Sequence, residues 1–351
     1  ADVDADGKPV FETEADKQNN IVKSSGTPVD FTRKIQKGEH WYVCAEWVRD
    51  VYVSYVLVCD DDFTVTGTDK NDYKNGDEIF TKNFGTGGTA TVNGTTVPRE
   101  SSNATFLQMY YDRECTSPIG GYGQIARPDD DREKVEVYAK YIEGNYTVVR
   151  DSAGVNSMLN LYSSNDRAFY IFNTDESKVI DCKNVSFYPK NDEFNCQIVG
   201  NGFTLANLNF NESNISGGRS FAMFGTFGDT ASISDLTLKN VTVTMSLRTN
   251  NTTSSLYLVS LGMSDKAKLE NFVIDGVEME ITCPNSNDKI TNLIYNPSTQ
   301  TYTSDNLMFG GFDGTDEQFL AAHSGIKVKN YKFTVKVGVE TVLVKNNQEA
   351  E

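Results

Sequence analysis

The sequence predicts an all-β protein whose second half coils as a β-solenoid. Three observations predict it. First, a short pattern returns five times: Asn or Asp, an apolar residue, any residue, an apolar residue. It reads Asn184-Val185-Ser186-Phe187, Asn207-Leu208-Asn209-Phe210, Asp235-Leu236-Thr237-Leu238, Asn271-Phe272-Val273-Ile274 and Asn330-Tyr331-Lys332-Phe333. The two apolar residues of each copy share one strand face, and Asn or Asp tolerates the left-handed backbone of a tight corner. A corner followed by a short strand, repeated, is the mark of a solenoid. Second, the flanks superpose. Residues 233–243 on 269–279 place Ile233 on Leu269, Leu236 on Phe272, Leu238 on Ile274, Val241 on Val277 and Val243 on Met279. A third copy sets Val328, Tyr331 and Phe333 on the first three of these positions. Third, no long segment carries an apolar stripe of helical period, whereas Val, Phe, Tyr, Thr, Asn and Gly are prominent. An antiparallel β-sandwich with alternating strands is the competing architecture.

The elements follow in order. Residues 1–27 are polar and acidic and read as a flexible leader or a linker to an anchor. Residues 28–150 hold both tryptophans and read as a β-rich domain or solenoid cap, with strands at His40–Trp47, Tyr52–Val58 and Phe63–Thr66. Turn clusters follow at 69–76 and 85–88. The best helix candidate is Asp129–Tyr141 (DDDREKVEVYAKY). Residues 151–345 form the solenoid. Its anchors are spaced 23, 28, 36 and 59 residues apart, so the turns differ in length, with loops inserted at corners. An apolar-plus-Gly pair precedes three copies: Phe224-Gly225, Leu261-Gly262 and Phe309-Gly310. Residues 346–351 are a polar tail.

One stretch carries a resemblance. Ile198 to Phe210 (IVGNGFTLANLNF), Phe221 to Gly225 (FAMFG) and Ile233 to Val241 (ISDLTLKNV) resemble the GLUG-type repeats of bacterial surface proteins. Those carry a GNG-x-I-x-N-L segment, an LFG turn and an I-x-N-L-x-L-x-N-V segment. This chain has Asp235 for the usual Asn and Met223-Phe224-Gly225 at the turn. More broadly it is similar to right-handed parallel β-helix proteins of the pectin-lyase-like kind. The resemblance implies a right-handed parallel β-helix and an exported or cell-surface location. It says little of activity, because that fold hosts lyases, hydrolases and adhesins alike.

The chain carries 49 acidic and 32 basic residues, a formal charge of −17. A general nucleic-acid binder needs a basic footprint, so that class is set aside. Docking on an anionic membrane is disfavoured for the same reason. No apolar run approaches the roughly 20 residues of a transmembrane helix. The acidic stretch after Ala1 reads as a mature or trimmed start. Nine Asn-x-Ser/Thr sequons follow from a composition rich in Asn, Ser and Thr.

Candidate chemistry is sparse. Trp41, Trp47, Tyr110 and Tyr111 offer flat faces for sugar rings or protein contacts, against the alternative of ordinary core aromatics. Asp2, Asp4 and Asp6 have the spacing of an EF-hand-type calcium loop with Gly7 at its sixth position, but Thr13 stands where a Glu belongs. Ca²⁺ is the one cofactor for which the sequence offers ligands. Of six cysteines, Cys182 and Cys196 flank a turn at Tyr188–Phe194, and Cys44 and Cys59 have similar spacing. Both pairs are disulfide candidates if the chain is exported, Cys182 and Cys196 first, whose bridge would be worth about 3 kcal/mol by chain entropy. Buried thiols are the alternative. Only Asp235 among the anchors is acidic, so the corners hold no catalytic constellation. The expectation is a secreted or surface-anchored, non-enzymatic binding or adhesion protein, tethered through its leader, whose partner is a glycan or a surface protein. The alternative is a carbohydrate-active β-helix enzyme, a polysaccharide lyase or glycoside hydrolase. A cluster of three or more carboxylates in one cleft would favour it.

Overall fold

A computed structural model describes residues 37, 50–85, 87–129, 133–160, 166–175, 177–216, 218–248, 253–283, 289–337 and 340–347. Within them the protein is mostly strand, and its all-β class stands. Two short helices occur among the described residues, Ser152–Asn160 and Asp316–Ala322. The chain divides into two compact units that do not follow chain order. The smaller takes 1–54, 81–92 and 123–136; the larger takes 55–80, 93–122 and 137–351.

In the smaller unit, Thr89–Val92 runs antiparallel to Gly123–Ala126, with Ala90 opposite Ile125. Ala90, Val92 and Ile125 alternate with exposed residues and are buried, the period-two signature of a half-buried ribbon. In the larger unit, Ala104–Tyr110 pairs antiparallel with 138–143, and Phe106 faces Tyr141.

The rest of the larger unit is built on parallel strands. Thr147–Val149, Ala168–Ile171, Gln197–Ala206, Ser232–Leu247, Lys268–Cys283 and Ile326–Val337 lie side by side in chain order, every pair parallel. Glu340–Asn346 then adds antiparallel at the end. Between the long strands the chain visits two small parallel sheets in a fixed order. One holds Ser220–Phe221, Thr253–Leu256 and Lys289–Ile290; the other holds Glu193–Phe194, Thr226–Phe227 and Gly262–Met263. This pairing excludes an antiparallel sandwich as the whole structure.

The register bears on the repeats directly. Ile233, Leu236, Leu238, Val241 and Val243 pair with Leu269, Phe272, Ile274, Val277 and Met279, as the superposed flanks predict. The third copy falls elsewhere. Val328 pairs with Ile274, Tyr331 with Val277 and Phe333 with Met279. Asn330 therefore belongs to a different corner from Asn271.

Left-handed backbone recurs at two matching places across the long strands. Asp235 (φ 50°) and Asn271 (φ 49°) make one. Asn207 (φ 59°), Asn240 (φ 54°), Gly276 (φ 74°) and Asn330 (φ 51°) make the other. Only Gly, Asn and Asp take this conformation without a large penalty. Their side chains are laddered. Asn271 Nδ2 donates to Asp235 Oδ1 (2.9 Å), Asn240 Nδ2 to Asn207 Oδ1 (3.2 Å), Asn207 Nδ2 to Asp181 Oδ1 (2.9 Å) and Asn330 Nδ2 to Asp275 Oδ1 (2.7 Å). Asn184, expected at a corner, is not among the left-handed residues.

Side chains facing inward stack from strand to strand. Phe187, Phe210, Val243, Met279 and Phe333 form one such row, all buried. Leu236 and Phe272 are 2% and 0% exposed. Each large apolar side chain buried in this way contributes about 1.5–3 kcal/mol. Outward residues set opposite charges side by side: Asp275 lies between Lys239 and Lys329, and Glu278 beside Lys332. Such neighbours favour this register over a slipped one.

The connection between Lys268–Cys283 and Ile326–Val337 is the longest between neighbouring parallel strands of this sheet. It carries an antiparallel hairpin, Ile294–Asn296 with Thr301–Thr303, and the helix Asp316–Ala322. Thr315 caps that helix in a capping box with Gln318. Asp316 is buried. Its Oδ2 accepts the Leu307 N–H (2.8 Å), and its Oδ1 accepts those of Met308 (2.9 Å) and Phe309 (3.4 Å). Lys345 stands 3.4 Å from Asp316 and 2.7 Å from Glu317.

Two expectations are corrected here. The segment expected as a helix over Asp129–Tyr141 contains a strand, Lys134–Glu143. Val137, Ala139 and Tyr141 are buried at period two, and the β-branched residues Val135 and Val137 suit a strand. The flanking charges imitated a helix start. Second, Cys182 and Cys196 are unbridged thiols, both buried. The segment between them is not a hairpin. It passes through Ser186–Phe187, which pairs with Asn209–Ile215, and then Glu193–Phe194, which pairs with Thr226–Phe227 in another sheet. Cys59 is likewise an unbridged thiol, and Cys44 lies outside the described residues.

Candidate functional site

Two clefts of the larger unit gather aromatic and polar side chains. The larger, about 810 Å³, is lined by residues from four stretches: 97–106, Tyr141 to Val148, Ser157, and Arg167 to Phe169. Its floor is apolar, with Phe106 and Tyr141 rings 5.4 Å apart and Phe169 beside them. Its rim is polar: Glu100, Ser101, Asn145, Tyr146, Thr147, Ser157 and Arg167. The buried Thr105 hydroxyl fixes the backbone here. It donates to the Gly144 carbonyl (2.7 Å) and accepts the Tyr146 N–H (2.8 Å). Asn145 Nδ2 donates to the Ser102 carbonyl (2.9 Å). The Tyr141 hydroxyl donates to the Arg99 carbonyl (2.5 Å), and burial pushes that phenol well above its ordinary range. Glu100 is the one carboxylate among the lining residues.

The smaller cleft, about 320 Å³, takes Leu107 and Tyr170 from the same strands. Tyr110, Phe172 and Phe203 add rings; Lys140, Asn173, Asp175, Lys178 and Asn201 add polar groups. The Tyr170 ring lies 5.8 Å from Tyr146 of the larger cleft. Most polar groups are held by neighbours. Lys178 Nζ donates to the Asn201 carbonyl (3.1 Å) and sits over the Phe203 ring (5.7 Å). Asp175 accepts the Ser177 N–H (2.9 Å), which holds its carboxyl below the ordinary value. Arg150 lies over Phe172 (5.7 Å) and donates to the Leu107 carbonyl.

Of the aromatics expected to bind, Tyr110 lines the smaller cleft but is only 5% exposed, and burial pushes its phenol up to about 12. Tyr111 is 46% exposed and lines neither cleft. Trp41, Trp47, Asp2, Asp4 and Asp6 lie outside the described residues. Among the described residues no group of three His, Cys, Asp or Glu could hold a metal ion. No helix among them is long and apolar enough to cross a membrane. The sequence reading missed Tyr146, Tyr170, Phe172 and Lys140. The period-two pair Tyr170 and Phe172 in Ala168-Phe169-Tyr170-Ile171-Phe172 was the available signal. Compared with known proteins, the chain matches no family model, no curated sequence and no solved structure.

Proposed function

We propose that this chain is a right-handed parallel β-helix protein displayed outside the cell, and that it binds a glycan without transforming it. The β-helix reading is supported by the fixed order in which the chain revisits three parallel sheets and by the repeat of 35 and 36 residues from Ile198 to Ile233 to Leu269. Right-handedness follows from the near-universal hand of crossovers between parallel strands of one sheet. The likeness of residues 198–241 to GLUG-type surface repeats supports the location.

One observation carries the binding reading: the larger cleft joins rings and neutral hydrogen-bonding groups to a single carboxylate, Glu100. At about 810 Å³ it falls within the range of roughly 300–1,000 Å³ typical of ligand sites. A sugar presents apolar C–H faces and a rim of hydroxyls, which suits Tyr146 and Phe106 beside Ser, Thr and Asn. Glycoside hydrolysis by the common route needs two carboxylates flanking the bond, and this lining supplies one. The test is a glycan array, followed by titration of the strongest oligosaccharide into the native chain and into Tyr146→Ala. The expected loss is about tenfold. An array without hits, or unchanged affinity in Tyr146→Ala, overturns the site. Chain cleavage of any polysaccharide in a panel overturns the non-enzymatic part.

A further inference from the structure

The last parallel strand, Ile326–Val337, is covered by one that runs against it. Glu340–Asn346 pairs with it antiparallel and ends the sheet. The register sets Lys345 opposite Phe333, and directly opposite residues share a face. Phe333 is buried, so the Lys345 side chain is turned toward the interior and is only 20% exposed. An ammonium placed there needs anions, and the helix Asp316–Ala322 supplies two. Lys345 Nζ lies 2.7 Å from Glu317 Oε1, 3.4 Å from Asp316 Oδ2 and 6.0 Å from the centre of the Tyr331 ring. Just past the strand, Asn347 adds neutral bonds: its N–H donates to the Tyr331 carbonyl (3.0 Å), and its Oδ1 accepts the Tyr331 N–H (2.7 Å). The other titratable groups around the contact are Tyr331, Tyr257, on which Asp316 acts, Tyr302 of the neighbouring hairpin, and His323 at the helix end. The three phenols are all raised by burial, so they stay neutral at acid and neutral pH. His323 Nδ1 lies 2.9 Å from the Phe319 carbonyl, within its own helix.

We propose that Glu340–Asn346 is a strap that acid unfastens: at neutral pH Lys345 locks it to Asp316 and Glu317, and protonation of those carboxyls releases it and uncovers the edge of Ile326–Val337. The direction follows from linkage. The hydrogen bond from Lys345 holds the Glu317 carboxyl below its ordinary value. Burial raises Asp316, and Lys345 is among the groups that draw it back down. Both carboxyls therefore bind protons less readily with the strap shut than with it open. The share of the strap's stability that comes from Lys345 is full above the open-strap values and is lost as pH falls through the shut ones. An uncovered strand presents a row of unpaired N–H and C=O groups, the place at which another strand adds. The lock thus ties access to that edge to the acidity outside, independently of either cleft.

The experiment is amide hydrogen exchange of the full chain at about pH 7 and about pH 4, expressed as protection factors so that the intrinsic pH dependence of exchange drops out. Relative to 268–283, the protection of 340–346 should fall about tenfold from the higher pH to the lower, the factor that one unit of pKa difference supplies. Lys345→Met should show the loose strand already at pH 7, with no further step. Lys345→Arg should keep the step. Glu317→Gln should shrink it, and because Glu317 is 64% exposed that variant leaves the core untouched. His323→Gln should leave the step as it is. A native strand whose relative protection does not change with pH overturns the inference. So does a full step in Lys345→Met, or a step that His323→Gln abolishes. If Lys345→Met also loses protection over 268–283, Glu317→Gln decides: a smaller step supports the lock, and an unchanged one overturns it.

Discussion

Asn271 shows how a single side chain serves the corner twice. Its backbone is left-handed, and its amide bridges to Asp235. Asn271→Ala should cost about 1–2 kcal/mol, because alanine meets the left-handed penalty and makes no bridge. Asn271→Gly should cost less. Urea unfolding of both variants checks the order, and equal losses would mean that backbone conformation is not what the corner demands. The buried thiols give a second prediction. Burial pushes Cys182 up to about 12 and Cys196 up to about 11, from 9.0. The folded state thus holds their protons longer than the unfolded chain does. Their contribution is present in full below pH 9 and is lost as pH rises from 9 through 11 and 12. Melting temperature should fall over that window, and both thiols should resist a thiol reagent at pH 8 until the protein is denatured. Rapid labelling of either in the native protein would contradict this burial.

At the scale of elements, the helix Asp316–Ala322 is tied to its surroundings by one buried carboxylate. Burial raises the Asp316 pKa, while the Leu307 and Met308 N–H groups and Lys345 oppose that rise. Asp316→Ala leaves those donors without their acceptor and should destabilise by about 3 kcal/mol. A chemical-denaturation midpoint measures it, and a loss below about 1 kcal/mol would show that water or a shifted backbone replaces the carboxylate. This device was not legible in the sequence, because Asp316 and the residues it gathers are brought together only by the fold. The long strands were legible. Leu236, Leu238, Val241 and Val243 alternate, and so do their partners 36 residues on, so period and register could be read together. Asn330 misled because Gly276 stands at its corner in the preceding strand and breaks the Asn pattern. Asp129–Tyr141 misled because its charges suggested a helix while Val137, Ala139 and Tyr141 alternated toward a core.

For the whole molecule, the parallel stack should not open uniformly. Ser232–Leu247 and Lys268–Cys283 are paired on both sides, whereas Thr147–Val149 and Glu340–Asn346 end the sheet. Amide hydrogen exchange should therefore be slowest in the two central strands and fastest at the two ends. Faster exchange at the centre than at the ends would overturn the stack as the stable nucleus. The clefts belong to this scale too, and that is why the sequence did not disclose them. The larger one needs residues near 100, 145 and 168 side by side, a convergence that no local pattern encodes.

The unequal connections between the parallel strands have a further consequence. Phe272 to Ile326 spans 54 positions where Ile233 to Leu269 spans 36, yet the register stays constant from Phe272 opposite Ile326 to Cys283 opposite Val337. Closing the longer loop costs only about 0.4 kcal/mol more in chain entropy. Architecture and ornament are thereby uncoupled: the exposed hairpin tip, 297–300, can lengthen, shorten or acquire a new surface while Tyr302 and the strands beneath it keep their places. That corner is where this molecule has room to vary, and where a foreign segment could be grafted without asking the rest of the chain to change.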